Sequence, residues 1–344
     1  MTIRLYSEKD REPWDSYVMN SPDATCYHLT GWKGVIEKSF GQSTWYLLSE
    51  DEEKRINGIL PLVQLKSSLF GNYVVSLPYF NYGGVCADSI EIGRQLIEQA
   101  ISRAQAANAR HIELRHTHPT NNGLQVKTSK ISMRLALTQS SDELWKSLPS
   151  KLRSQVQRPI KEGMYAKLGR EEHLDDFYAI FAENMRDLGT PVYSKEFFRN
   201  ILRIFPESSW ICIVYSTTGQ PVAAGFIVGF KDIMEIPWAS SLRNYNRYSP
   251  NMLLYWSVLK LSCEKGFGSF DFGRSTPGEG TYRFKEQWGA EPVQLYWHYW
   301  LKNGQTLPEL NPHNPKYRLA INIWKKLPIS LTKLIGPVIV KNLP

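Results

Sequence analysis

Residues 271–290 read DFGRSTPGEGTYRFKEQWGA, a glycine-rich turn set between a strand signal and a cluster of rings around one lysine. The apolar alternation that leads into it, SFDFG, predicts a strand. Asp271 and Arg274 then fall at a strand end, where ligands collect in open mixed sheets. Gly278 and Gly280 permit a tight loop and close approach. Lys285 follows directly on Phe284, with Tyr282 and Trp288 nearby. Two readings stay open. In one, the segment is a strand with Phe284 inward and Lys285 in solvent, the usual place for a lysine. In the other, the rings strip water from the ammonium, and its charge acts strongly on a developing oxyanion.

Working outward, NMLLYWSVLKLSCEKG (251–266) has the pattern of a helix stopped by Gly266. SWICIVYS, QPVAAGFIVGF and DIMEIPWASS before it are strands. A long helical stretch, 142–204, breaks near Gly163 and Gly189. The first half shows the same order. IRLY is a strand, followed by a helix opening near Ser7 with Pro13 in its first turns. STWYLLSE, RINGILPLVQLK and NYVVSLPY are strands, and residues 88–109 form a helix with Asp88 and Glu91 as cap and capping partner. RHIELRHT and KISMRLAL close the half as strands. The sequence turns polar at Leu137–Ser141, which places the seam there. The expectation is an α/β chain of mixed sheets, with lobes at 1–138 and 139–310 and a basic amphipathic tail at 311–344.

The totals narrow the chemistry. Forty-one basic against thirty-three acidic side chains leave +8, which suits a phosphate-bearing partner such as RNA or a nucleotide sugar. The four cysteines form no CxxC pair and read as buried thiols in a reducing compartment. The charged start and the lack of any apolar run approaching about 20 residues point to a cytoplasmic protein. His116 and His118 share a strand face without a carboxylate or cysteine cluster, so no metal is expected. No Gly-x-Ser-x-Gly, Cys/His pair or Walker loop occurs, and no cofactor is expected.

FDFGRS, GTYRFKEQWGA, NYNRYSPNMLLYW, SLPYFNYGGVCADS and MRDLGTPVYSKEFF together resemble the FemAB-like aminoacyltransferases, over nearly the whole chain. The branch most resembled is the one found with exosortase and exopolysaccharide gene clusters. The resemblance implies two tandem GNAT-like acyltransferase lobes with an inter-lobe cleft, the first on the acceptor side and the second catalytic. It also implies transfer of an amino acid from aminoacyl-tRNA to an amine of a cell-envelope precursor. In such enzymes a Phe-Lys pair at the position of Phe284 and Lys285 lies by the reacting ester, the lysine stabilising charge. GNAT enzymes normally carry a glycine-rich loop whose N–H groups nest the pyrophosphate of coenzyme A. The matching place, RNYNRYSPNM (243–252), has no glycine, and Pro250 removes a donor. That disfavours acetyl-CoA as donor. Asn251 is expected to cap the helix that follows.

Further candidates follow. Asn81 and Tyr82, beside Gly83 and Gly84, are acceptor contacts under the resemblance or simply part of a tight turn. Arg153 and Arg158 belong to a basic run, 151–170, which suits tRNA or a diphosphate, or else forms a solvated helix face. Asp187 either holds or deprotonates the attacking amine, or bonds loop amides. No heptad run marks the long coiled-coil arm of some Fem enzymes. The tail either lies on an anionic membrane, near a lipid-linked acceptor, or packs on the second lobe.

The leading reading is thus a Fem-type aminoacyl or acyl transferase forming an amide on an envelope precursor or exopolysaccharide. Its donor is aminoacyl-tRNA and its acceptor a nucleotide- or lipid-linked glycan. Lys285 would stabilise the oxyanion, Phe284 and Trp288 shape the site, and Arg274 bind phosphate or carboxylate. The alternatives are a coenzyme A-dependent N-acyltransferase of a sugar amine, and a non-catalytic glycan-binding or assembly protein.

Overall fold

The computed structural model describes residues 2–120, 122–308 and 315–343, without the side chains of 315–317. In chain order come β1 (Thr2–Leu5), α1 (Arg11–Asn20), α2 (Gly31–Phe40), β2 (Ser43–Thr44), β3 (Leu47–Glu50), β4 (Ile56–Leu60), β5 (Val63–Ser67), β6 (Gly71–Val75), β7 (Cys86–Ala87), α3 (Ile90–Ala106), β8 (His111–His116) and β9 (Gln125–Lys127). Then follow β10 (Ile131–Ala136), α4 (Ser141–Ser147), α5 (Ser150–Lys161), β11 (Tyr165–Gly169), α6 (Leu174–Leu188), α7 (Lys195–Ile204), β12 (Ser209–Tyr215), β13 (Pro221–Phe230) and β14 (Ile233–Ser241). The chain finishes with α8 (Pro250–Glu264), β15 (Ser269–Ser275), α9 (Gly280–Glu286), β16 (Glu291–Gln294), β17 (Tyr296–Leu301), α10 (Pro315–Trp324) and α11 (Ile329–Val340).

These elements fall into two compact units. The first comprises Met1–Ile131, Val293–Leu310 and Lys341–Pro344, the second Ser132–Pro292 and Asn311–Val340. Both repeat one plan, of which the sequence shows the antiparallel strands, the crossover helix and the strand after it, but neither β11 nor α2. A first strand (β1 or β11) leads to two helices and antiparallel strands, then a helix (α3 or α8) crosses to a parallel strand (β8 or β15).

The units do not follow the seam expected at residue 138, because each sheet is completed by a strand from elsewhere in the sequence. β10 lies between β15 and β16 in the second unit's seven-stranded sheet, and β17 lies between β8 and β9 in the first. In the first unit the long hairpin of β2–β3 with β4–β5 is interrupted at Pro61, which lacks an N–H for the ladder, so the strands split into sheets of four and six.

Side-chain pattern explains the local structure. α3 buries Leu96, Ile97, Ala100 and Ala104 at helical spacing against β4 and β8, with Leu60, Ile112 and Leu114 in the same core. Its N-cap is Ser89, whose hydroxyl accepts from the Ile92 N–H, rather than the Asp88 the sequence suggests. The second unit's core is aromatic, with Phe177, Phe198, Phe226 and Trp238 meeting edge to face at 4.8–5.6 Å. β11 falls inside the stretch read as helical. It is an edge strand with Tyr165, Lys167 and Leu168 exposed, so burial imposes no alternation on its sequence. The four cysteines are buried. Among the described residues no helix is long and apolar enough to cross a membrane.

Candidate active site

The second unit opens where β14 and β15 part. These parallel strands pair only at Ile233, Met234 and Glu235 against Ser269, Phe270 and Asp271. Beyond Asp271 the β15 carbonyls have no β14 partner in that register. Gly273 sits there at φ +76°, a left-handed conformation that breaks the strand's alternation. Two consecutive carbonyls can then converge on one donor.

That donor is Lys285. Its ammonium bonds the Gly273 carbonyl at 2.8 Å and the Arg274 carbonyl at 2.9 Å, and the residue is only 7% exposed. The alternative of a solvated lysine on a strand is therefore replaced by a buried lysine on the short helix α9. Burial pushes its pKa down to about 8, against the pull of the Asp271 and Glu235 carboxylates, while Arg274 lowers it further. An ammonium carries three N–H donors, so two carbonyls leave the third for a bound group. Phe284 is half-buried and meets Tyr255 edge-on at 5.0 Å. Trp288 is buried by Tyr255 and Phe272, and among the described residues neither its Nε1 nor the buried Ser275 hydroxyl has a hydrogen-bond partner. Tyr282 is half-buried and Arg274 exposed.

Asp271 has a different role from the one expected of it. It is 1% exposed, and its carboxylate accepts from the Ser132 hydroxyl (2.5 Å), the Gly273 N–H (2.7 Å) and Arg134 Nε (3.2 Å). It fixes the β15 bend to β10 rather than standing open to a ligand. Asp187, at the end of α6, is likewise engaged: Arg186 Nη2 lies 2.7 Å and Arg243 Nε 3.6 Å from its carboxylate. Arg243 also donates to the Asp187 carbonyl at 2.8 Å, so Asp187 ties the segment after β14 to α6. That segment, Arg243–Tyr248, is a 3-10 helix, and α8 begins with Pro250 at its first position. Ser249, at φ 58°, is the cap residue, while Asn251 lies inside the first turn. The segment contains no glycine, and Pro250 has no N–H to offer an anion.

The basic run forms α5 and β11. Arg158 is exposed and Arg153 donates to the Lys146 carbonyl at 3.2 Å. Beside them Ile160, Tyr165, Leu168, Trp256 and Lys260 line an open groove of about 420 Å³. No hydrogen bond or ion pair joins this face to Lys285 among the described residues.

In the first unit the parallel pair β6 and β8 also meets only briefly, at Val74 with Ile112 and Val75 with Glu113. Here the chain itself fills the opening. The Ser76 N–H bonds the Glu113 carbonyl, and the Gly83 and Gly84 N–H groups bond the Arg115 carbonyl at 3.1 Å. Tyr82, Gly83 and Gly84 are buried and Asn81 half-buried, so these expected acceptor contacts lie in a packed loop. A Cβ at Gly84 would stand 2.4 Å from the His116 ring. Leu77 and Tyr79 adopt positive φ (56° and 75°), uncommon for such side chains. Beneath the loop, Arg115 pairs with Glu113 at 2.7 Å, donates to the Phe80 carbonyl and stacks 4.5 Å over Trp297. Tyr299 donates to Glu113 at 2.8 Å. Burial pushes the Glu113 pKa upward, but Arg115 and Tyr299 outweigh it and hold the carboxyl below its ordinary range.

A chain of neutral imidazoles lies alongside. The Val85 N–H donates to His116 Nε2 at 3.1 Å, which leaves the proton on Nδ1, 3.0 Å from His298 Nδ1. His298 Nε2 then reaches Thr120 Oγ1 at 3.2 Å. Burial pushes the pKa of His116 far down, with His298, His118 and His28 adding to it, and burial likewise lowers His298. Unfolded imidazoles take up protons below about pH 6.5, while the folded pair does not. Stability is therefore complete above that pH and falls as the pH drops through it. The urea midpoint should be lower at about pH 5 than at about pH 7.5, and the drop should shrink in His298→Gln. Equal midpoints at the two pH values would show that the pair is not what titrates. Among the described residues no group of three or more His, Cys, Asp or Glu side chains could hold a metal ion.

The sequence singles out Lys285 but gives no sign of the buried contacts of Ser132 and Arg134, and passes over Glu113 and Arg115. Arg134 and Asp271 sit 137 positions apart, and nothing in local spacing announces their meeting. For Glu113 and Arg115 a signal existed: two opposite charges at alternate positions of one strand, RHIELRHT, and so on one face of it.

Residues 150–286 match the model of an acetyltransferase (GNAT) domain. No curated protein matches the chain in sequence. The structure is similar to FemX (TM-score 0.67, 14% identity, 93% of this chain and 100% of that one). It is also similar to L-PGS from Bacillus licheniformis (0.55, 12%, 97% and 99%). A tandem GNAT protein from the clavulanic acid biosynthesis pathway superposes at 0.57 with 11% identity, over 89% of this chain and 99% of that one. The chain therefore carries the GNAT acyltransferase fold twice, and the GNAT domain match falls on the unit that holds Lys285.

Proposed function

We propose that the protein is a Fem-type acyltransferase that forms an amide from an aminoacyl ester and an amine of a cell-envelope glycan or peptide precursor. The observation that carries this reading is Lys285: a buried ammonium, fixed on two strand carbonyls at the parting of β14 and β15, with one N–H to spare. In the reaction the amine nitrogen attacks the ester carbonyl and a C–N bond forms. The carbonyl oxygen takes up negative charge opposite Lys285, the C–O bond to the donor breaks, and the proton shed by the amine ends on the leaving oxygen. Similarity to FemX supports the class, and aminoacyl-tRNA is the donor we favour. The acceptor class, a glycan of the exopolysaccharide or peptidoglycan type, rests on the sequence resemblance.

A coenzyme A-dependent N-acyltransferase is the second reading, favoured by the acetyltransferase description of the matching domain model. The glycine-free start of α8 argues against it. Calorimetry with acetyl-CoA should show no saturable heat at micromolar concentrations, whereas charged tRNA should be consumed when a glycan-linked amine is added. Saturable acetyl-CoA binding together with intact charged tRNA would replace the first reading by the second.

A further inference from the structure

The last two helices carry a surface that acyl transfer leaves unused. α11 docks one face on the second unit: Thr332, Gly336 and Val340, four apart, are buried. At Gly336 the backbones come so close that a Cβ would lie 2.9 Å from the Val192 nitrogen. Lys333 adds its ammonium 5.3 Å above the Tyr178 ring of α6. The outward face is apolar. Leu331, Leu334 and Val338 recur at three and four positions, with Leu334 71% and Val338 61% exposed. α10 repeats the arrangement, leaving Leu319 (66%) and Ile323 (54%) outside while Trp324 is buried. Arg318, Lys325 and Lys326 are exposed beside them. From residue 310 to residue 344 the sequence has six lysines and arginines and no aspartate or glutamate.

Exposed leucines and valines at helical spacing mark a surface that is covered in use. We propose that the outward faces of α10 and α11 lie on an anionic bilayer surface, the apolar side chains at the headgroup boundary and the cations on lipid phosphates. The charge selects this occupant. A symmetric second copy would set Arg318, Lys325 and Lys326 against their own counterparts with no carboxylate in this stretch to offset them, whereas acidic lipid satisfies both the apolar stripe and its basic flanks. Neither helix is long enough to span, so the contact is peripheral. This inference is independent of the chemistry proposed for Lys285.

Cosedimentation of the full chain with vesicles tests it. Binding should appear with mixed phosphatidylglycerol and phosphatidylcholine, be at least about tenfold weaker with phosphatidylcholine alone, and weaken at about 0.5 M salt. The double substitution Leu334→Ser, Val338→Ser should lower binding to the anionic vesicles by about tenfold or more, with no change in melting temperature because both side chains are exposed. Lys325→Ser with Lys326→Ser should reduce binding and its salt dependence together. No binding to anionic vesicles, or equal binding by the Leu334/Val338 variant, overturns the proposal. So does a concentration-dependent dimer that the same double substitution abolishes, since that would name a second copy as the occupant.

Discussion

Lys285→Met should lower amide formation by about 10²–10³-fold, the loss seen when one preorganised donor to an oxyanion is removed. The methionine keeps an unbranched apolar stem of similar length but leaves the Gly273 and Arg274 carbonyls without their Lys285 donor. An unpaired buried carbonyl costs about 1–3 kcal/mol, so some loss of stability accompanies the change. Relief from burying an ammonium offsets part of it. Single-turnover rates at saturating donor, corrected for the folded fraction, separate the two effects. Donor affinity should change little, because the extra charge interaction develops only at the tetrahedral stage. The pH dependence gives an independent check. With a pKa of about 8, Lys285 loses its proton at mildly alkaline pH, so the rate should fall there. Lys285→Arg, which stays charged, should abolish that alkaline limb even if its absolute rate is lower. A Lys285→Met enzyme as fast as the parent would remove the lysine from the chemistry.

Glu113→Ala should cost the first unit about 3–5 kcal/mol, the usual penalty for leaving one partner of a buried ion pair behind. Arg115 and Glu113 are both almost fully buried, and in the variant the guanidinium would keep the Phe80 carbonyl and the face of Trp297 but lose its carboxylate. Tyr299 would lose its acceptor at the same time. Since Trp297 and Tyr299 belong to β17, the damage should reach the strand that completes the sheet. Urea denaturation followed by tryptophan fluorescence should show an early transition in the variant, with the second unit unfolding at its usual concentration. An unfolding free energy within about 0.5 kcal/mol of the parent, the range of an ordinary surface substitution, would mean the network is not structural. Because the loop 76–85 hangs on the same groups, its Gly83 and Gly84 amides should also exchange faster with solvent.

Element type and order were legible from one sequence because hydrophobic period is a local property. The spacing of Leu96, Ile97, Ala100 and Ala104 can be satisfied by a helix and by little else. The repeated order of antiparallel strands, crossover helix and following strand is likewise written along the chain. The aromatic neighbours of Lys285 in the sequence mark the residue as unusual. β11 escaped because an exposed edge strand needs no alternation. Asp271 stood out for the right position and the wrong purpose: its residue type shows a carboxylate, but not that Ser132 and Arg134 already occupy it.

What the sequence by itself determined is the set of local conformations, since backbone sterics and side-chain period act over a few residues. Only the tertiary structure decided which strand completes which sheet, which charges are matched, and where Lys285 puts its hydrogen bonds. Those outcomes depend on pairings between positions far apart in the chain, as with β10 beside β15 and β17 beside β8. Such pairings are settled by burial and hydrogen-bond satisfaction across the whole unit, and no short window of residues contains them.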